Sequence, residues 1–141
     1  MNAMKLELTS LENATASLER SIHAATTFEA ILPPEIKQTV RSGIIQNFEV
    51  AYELSWKMMK RWLEMNISAE SVDGVTRREL FRQAAENHLI ENVDLWMSFH
   101  AARNETSHSY DNDTAEEVSD SAGHFVAAAQ SLLSSLQARN D

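Results

Sequence analysis

Residues 44–63 have the sequence IIQNFEVAYELSWKMMKRWL, and twelve of these twenty residues are apolar. At helical spacing these residues fall on two faces, one with Phe48, Tyr52, Trp56 and Met59, the other with Ala51, Leu54, Met58 and Trp62. A helix that is apolar on several sides must be buried on several sides. Either one face meets a second subunit, or both faces are covered within the same chain.

The pattern upstream of this stretch predicts a first helix. Apolar residues recur at helical spacing from Leu11 to Phe28. Pro33 and Pro34 end that helix and open the next, because proline is tolerated in the first turn of a helix but not in its interior. Two long helices therefore precede residue 66.

Three further helices are predicted downstream by their capping residues. A polar connection over residues 66–74 precedes a capping box that starts at Thr76 and opens a short third helix. Asn92 caps a fourth helix, which ends near Arg103 and is followed by a polar loop over residues 104–113. A second capping box, starting at Thr114, opens a last helix that runs to the C-terminus.

This pattern predicts an all-α fold, an up-and-down four-helix bundle with one additional short helix. The chain has 141 residues with only three glycines and two prolines, which favours few, long elements. We find no repeat, strand alternation or linker, so residues 1–141 are expected to form a single helical domain.

Composition narrows the functional classes. The chain has no cysteine, no apolar run of the roughly 20 residues that span a bilayer, and no export signal at its start, so a cytoplasmic protein without membrane contact is expected. Its net charge of -9 argues against nucleic-acid binding. Residues 37–82, however, carry a net charge of +2, and the remainder of the chain carries -11. A polyanion would therefore approach the middle of the chain. Alternatively, these charges only keep helix faces solvated.

The predicted loop after the fourth helix holds the residues suited to phosphate chemistry. Arg103 is a permanent cation with several donors, and His108 exchanges protons near neutral pH. Metal-free RNA cleavage needs a base, an acid and a cation, and one histidine cannot serve as both base and acid in one step. Two copies across a two-fold axis would complete the set. Alternatively, Arg103 interacts with the helix dipole, His108 is solvated, and Tyr110 anchors the loop on the core.

The other histidines suggest no metal site. They share no metal-ligand spacing: His23, His88, His100 and His124. His100 lies three residues before Arg103, and it either assists phosphate binding or is a polar neighbour. The sequence has no glycine-rich phosphate loop, so the chain is not expected to bind and hydrolyse a nucleotide alone. Neither a metal nor a cofactor is expected.

The sequence RNETSHSY at residues 103–110 resembles the R-x-x-x-x-H-x-Y motif of the HEPN (higher eukaryotes and prokaryotes nucleotide-binding) family, in its HepT-like branch. The likeness extends to FEVAYELSWK at residues 48–57 and to Trp96, and it covers nearly the whole chain. Ser109 and Asn112 depart from the pattern, where threonine and an acidic residue are usual, but neither is a motif position.

The resemblance implies a bundle that dimerises around a composite site, in many members a metal-independent endoribonuclease toxin. It implies catalytic roles for Arg103 and His108, phosphate positioning by Asn104, and modification of Tyr110. A minimal nucleotidyltransferase would be the partner and antitoxin, neutralising the RNA-cleaving toxin by AMP transfer to that tyrosine. An alternative is a non-catalytic subunit that binds substrate for the nucleotidyltransferase, and a purely structural helical dimer is a third.

Overall fold

Residues 5–140 are described by a computed structural model, and they form five helices: α1 (Thr9–Phe28), α2 (Pro34–Asn66), α3 (Arg77–Glu86), α4 (Val93–Glu105) and α5 (Asn112–Ala138). Two short 3-10 turns, Glu70–Val72 and Thr106–His108, lie in the connections, and this described part contains no strand. The first four residues and the last, which belong to the expected domain, lie outside the described residues. The expectation of an all-α fold is confirmed.

The long helix α2 is the centre of the bundle. It packs against α1, α5 and α4, while α1 also contacts α5, and the short α3 covers part of α4 and α2. The core is rich in aromatic rings, and the ring of Phe125 on α5 makes edge-to-face contacts with several of them: Phe48, Tyr52, Trp96 and Phe99. Four long helices and one short one are the predicted architecture, and this prediction is confirmed.

Several predicted helix ends are confirmed by their hydrogen bonds. Pro33 is extended and Pro34 occupies the first turn of α2. The hydroxyl of Thr76 accepts a hydrogen bond of 3.1 Å from the backbone N–H of Glu79, and the Asn92 side chain caps α4 in the same way. These side chains satisfy backbone N–H groups that have no partner within the helix.

The prediction of a ten-residue loop over residues 104–113 is wrong. Helix α4 continues to Glu105, the Thr106–His108 turn follows, and α5 already begins at Asn112. The cap of α5 is Asp111, which accepts from the backbone N–H and the hydroxyl of Thr114, so Thr114 is not the cap. Exposed helical turns need no apolar residue, and this is why the polar sequence here suggested a loop.

The two apolar faces of α2 are both largely covered within the chain. Three residues of the first face are fully buried: Phe48, Tyr52 and Met59. On the second face Ala51 and Trp62 are buried, and the remaining members of both faces are partly buried against the core. Most of both faces is therefore covered within the chain, which favours the second alternative, and contact of the partly buried members with a second subunit stays a prediction. Val50, on neither face, is 49% exposed. No helix of residues 5–140 is both long enough and apolar enough to span a membrane.

Candidate functional site

Arg103 lies in the last turn of α4 and points at α2. Its Nε lies 3.3 Å from Oε1 of Glu53, and its Nη1 lies 3.7 Å from Oε2 of Glu49. Nη1 also donates a 3.3 Å hydrogen bond to the hydroxyl of Thr106, which itself donates to the Arg103 carbonyl. The contact with Glu53 is an ion pair without hydrogen-bond alignment, because the buried Nε has no hydrogen-bond acceptor. The guanidinium is thus held by two carboxylates one helical turn apart.

Glu53 connects Arg103 to a second arginine through an indole. Its Oε2 accepts a 3.0 Å hydrogen bond from Nε1 of Trp56. The guanidinium of Arg77, at the start of α3, lies 3.6 Å from the centroid of the Trp56 ring, within the range of a cation–π contact. Sequence reasoning missed Glu49, Glu53 and Arg77 as site residues, although both glutamates lie in the stretch that carries the family resemblance.

A second set of contacts reaches Asn104 from the core. The hydroxyl of Tyr52 lies 2.8 Å from Nδ1 of His100, and Nε2 of His100 lies 3.5 Å from Nδ2 of Asn104. Tyr52 is fully buried, whereas Asn104 is exposed. His100 therefore lies between the buried Tyr52 and the exposed Asn104, the residue next to Arg103.

Burial determines the protonation states of Tyr52 and His100. Burial raises the pKa of the Tyr52 phenol far above its ordinary value, although the positive charges of Arg77 and Arg103 oppose the rise. Burial, together with the same two arginines, lowers the pKa of His100, and Glu53 opposes this shift. At neutral pH the phenol is therefore protonated and the imidazole is neutral.

His108 and Tyr110 are exposed on the turn that follows Arg103. Two backbone hydrogen bonds close this turn, from the N–H of Ser109 to the Thr106 carbonyl and from the N–H of Asp111 to the His108 carbonyl. The His108 and Tyr110 rings lie 6.4 Å apart, and Tyr110 is 86% exposed. Tyr110 therefore does not anchor the turn on the core, and its side chain is open to solvent.

The predicted site residues are neighbours in space but are not joined to one another. Within residues 5–140, Arg103 and His108 share no hydrogen bond, and the polar partners of Arg103 come from α2 and Thr106. Beside the turn, an open cleft of about 400 Å³ is lined by Ser42, Ile45, Gln46, Glu49, Val50 and Ser109. A larger cleft of about 590 Å³ between α1, α2 and α5 contains no motif residue. In the described part of the chain, no group of three histidine or acidic side chains is placed to hold a metal ion.

The fold and the site define a class of protein, an all-helical bundle with an Arg, His and Tyr motif that begins in the last turn of its fourth helix. The sequence comparison gives the family. The chain belongs to the nucleotidyltransferase substrate binding protein like family, whose sequence model matches residues 6–138. This match confirms the resemblance to the HepT-like HEPN branch.

Individual relatives agree with this assignment. The chain is 33% identical over 139 residues to a Haemophilus influenzae protein named probable ribonuclease HepT, covering 96% of this chain and 95% of that protein. A solved Haemophilus influenzae structure, described as the fold of a substrate binding domain of a nucleotidyltransferase, matches with a TM-score of 0.89 and 31% identity, over 93% of this chain and 99% of that one. A solved structure from Thermus thermophilus has the same fold, with a TM-score of 0.70, 23% identity, and 89% and 98% coverage.

Proposed function

We propose that this protein is a HepT-like toxin, a metal-independent endoribonuclease that a nucleotidyltransferase neutralises by AMP transfer. The observation that carries the proposal is the placement of His108 and Tyr110 on one exposed turn directly after the anchored Arg103. The likeness to a probable ribonuclease HepT supports this assignment.

The proposed reaction uses the 2'-hydroxyl of the RNA as its nucleophile. A histidine removes the proton of that hydroxyl, the oxygen attacks phosphorus, and the 5'-oxygen of the next nucleotide leaves with a proton from a second acid. The products are a 2',3'-cyclic phosphate and a free 5'-hydroxyl. Arg103 stabilises the charge that builds on the phosphoryl oxygens, and the amide of the adjacent Asn104 positions the phosphate.

One chain does not supply all of these groups, so we propose a homodimer whose two turns face each other. His108 of one chain acts as the base, and His108 of the other acts as the acid. In each chain Glu49 and Glu53 lie beside Arg103, so the phosphate must displace a carboxylate from either guanidinium group of the dimer.

Tyr110 is the proposed site of regulation. Its phenol oxygen attacks the α-phosphorus of a nucleoside triphosphate in the active site of the partner, the phenol proton passes to solvent, and pyrophosphate leaves. The attached AMP brings a phosphate beside His108 and within reach of an arginine in the assembled site. Neutralisation then follows from occupancy and charge, without refolding. Both proteins act in the cytoplasm.

A second candidate function is a non-catalytic subunit that presents substrate to a nucleotidyltransferase. The carboxylate pairing of Arg103 and the net charge of -9 favour this candidate, because both oppose RNA binding. The two functions differ in whether the chain alone acts on RNA.

Expression without the partner tests the proposal. The wild-type chain should slow growth, and Arg103→Ala or His108→Ala should relieve the effect while the helical content and thermal midpoint are retained. His124→Ala, on α5 away from the motif turn, is the matched control and should remain toxic. Equal toxicity of the Arg103→Ala, His108→Ala double variant would refute the ribonuclease assignment.

A further inference from the structure

The buried hydroxyl of Tyr52 fixes the tautomer of His100. Within the described residues this hydroxyl lies 2.8 Å from Nδ1 of His100, and the guanidinium of Arg77 lies close enough to donate a hydrogen bond to it. The neighbouring Arg77 cannot accept a hydrogen bond, because a guanidinium only donates. A fully buried O–H group without an acceptor is costly, so the Tyr52 hydroxyl must donate to Nδ1. In the neutral ring the proton therefore sits on Nε2.

The N–H at Nε2 in turn sets the orientation of the Asn104 amide. Nε2 lies 3.5 Å from Nδ2 of Asn104, at the outer limit of a hydrogen bond, and a half-turn of the terminal amide places Oδ1 there instead. Two N–H groups repel each other, so the favourable orientation turns the amide oxygen toward Nε2. The amide NH2 group then faces away from His100, toward solvent beside Arg103.

We propose that Tyr52 and His100 are positioning residues, which direct the NH2 group of Asn104 toward the phosphate of bound RNA. This inference rests on the proposed function for the identity of the ligand, and it assigns roles to two residues outside the motif. Without the Tyr52 hydroxyl, Nδ1 is free to carry the proton. Nε2 then becomes an acceptor, the amide turns, and its oxygen faces the phosphate and repels it.

The tautomer is measured directly by nitrogen-15 NMR of the histidine side chains at neutral pH, with the His100 signals assigned by their loss in His100→Gln. The wild-type chain should show His100 protonated at Nε2 alone, and Tyr52→Phe should shift the population toward Nδ1–H. A wild-type ring protonated at Nδ1, or a ring unchanged in Tyr52→Phe, overturns the inference.

The consequence for binding is measured with a single-stranded RNA oligonucleotide by fluorescence anisotropy in the His108→Ala background, where the RNA stays intact. Asn104→Ala and Tyr52→Phe should each weaken binding about tenfold, the effect of one hydrogen bond to a charged group. The double variant should be no weaker than either alone, because both changes remove the same contact. Ser55→Ala, which removes another buried hydroxyl of α2, is the matched control and should bind normally.

Losses that multiply in the double variant overturn the inference. If His100 is protonated at Nε2 but the chain binds no RNA, the hydrogen-bond assignment stands. The proposed function and the phosphate role of Asn104 are then both refuted. Normal RNA binding together with the other tautomer refutes the positioning roles and leaves the proposed function intact. The two failures are therefore distinguishable.

Discussion

One carboxylate oxygen of Glu53 lies 3.3 Å from Nε of Arg103, and this contact joins α2 to the end of α4. The other oxygen of the same carboxylate accepts a hydrogen bond from Trp56. Arg103 is therefore held in place by a negative charge, and in the proposed function RNA phosphate must compete with that charge. The Glu53–Arg103 ion pair therefore fixes the position of the guanidinium and lowers its affinity for other anions.

Replacing Glu53 with glutamine should strengthen RNA binding by about threefold to tenfold at low salt, because it removes a negative charge beside Arg103. The glutamine oxygen can still accept the Trp56 hydrogen bond, and its NH2 group then replaces the carboxylate oxygen beside Nε of Arg103, which leaves the guanidinium free for phosphate. Anisotropy in the His108→Ala background measures the effect, which should shrink as salt is added. Glu64→Gln, on the exposed side of α2, controls for the change in net charge. Weaker binding in Glu53→Gln would contradict the competition between carboxylate and phosphate.

The proposed dimer should depend on Val50. This side chain is 49% exposed and lines the cleft beside Ser109 and the motif turn. Val50→Asp should dissociate the dimer in sedimentation experiments, because it places a charge in the apolar contact. Ile67, just beyond the C-terminal end of α2, is an apolar residue with an exposure similar to that of Val50. Ile67→Asp should leave the dimer intact. A wild-type chain that is monomeric at all concentrations would eliminate the composite site.

Tyr110→Phe should abolish neutralisation and leave the fold intact. The side chain is 86% exposed, so the change in unfolding free energy should stay within about 0.5 kcal/mol. After co-expression with the nucleotidyltransferase, mass spectra of the wild-type chain should show whole AMP units on the peptide that contains Tyr110. Tyr52→Phe removes the chain's other tyrosine and should still be modified. A wild-type chain that is fully neutralised but unmodified would disprove AMP transfer.

His100 should make the fold sensitive to acid. Burial and the charges of Arg77 and Arg103 lower its pKa below the ordinary 6.5, while Glu53 acts in the opposite direction. As pH falls below 6.5 toward the folded-state pKa, the unfolded chain binds the extra proton and stability falls. Urea unfolding at about pH 7.5 and pH 5.5 should show wild type losing more stability than His100→Gln. An equal loss in both would mean that His100 titrates normally.

Much of the fold could be predicted from local patterns. Proline at the start of α2 and the side-chain caps at Thr76 and Asn92 act over a few residues, so the sequence indicates them directly. The prediction failed after Arg103, because Asn104 and Glu105 extend α4 as an exposed polar turn that no apolar periodicity marks. The cap of α5 was also misplaced, since Asp111 and Thr114 are both residues that favour capping.

The partners of the site were less predictable than its motif. Arg103, His108 and Tyr110 lie within a segment of eight residues, and the family resemblance singles them out. Contacts of Arg103 with Glu53, and of Tyr52 with His100, join α2 to α4 and depend on how the two helices pack. Helical spacing alone places Tyr52 on an apolar face, and it does not indicate which side chain accepts its hydrogen bond.

In the proposed function this chain cleaves RNA through Arg103 and His108 without a metal. The most direct test incubates the purified protein with RNA in excess chelator and analyses the ends of the fragments. The wild-type chain should produce 2',3'-cyclic phosphates and 5'-hydroxyls, and His108→Ala should produce none of either. Cleavage that requires added magnesium, or that persists in His108→Ala, would contradict the claim.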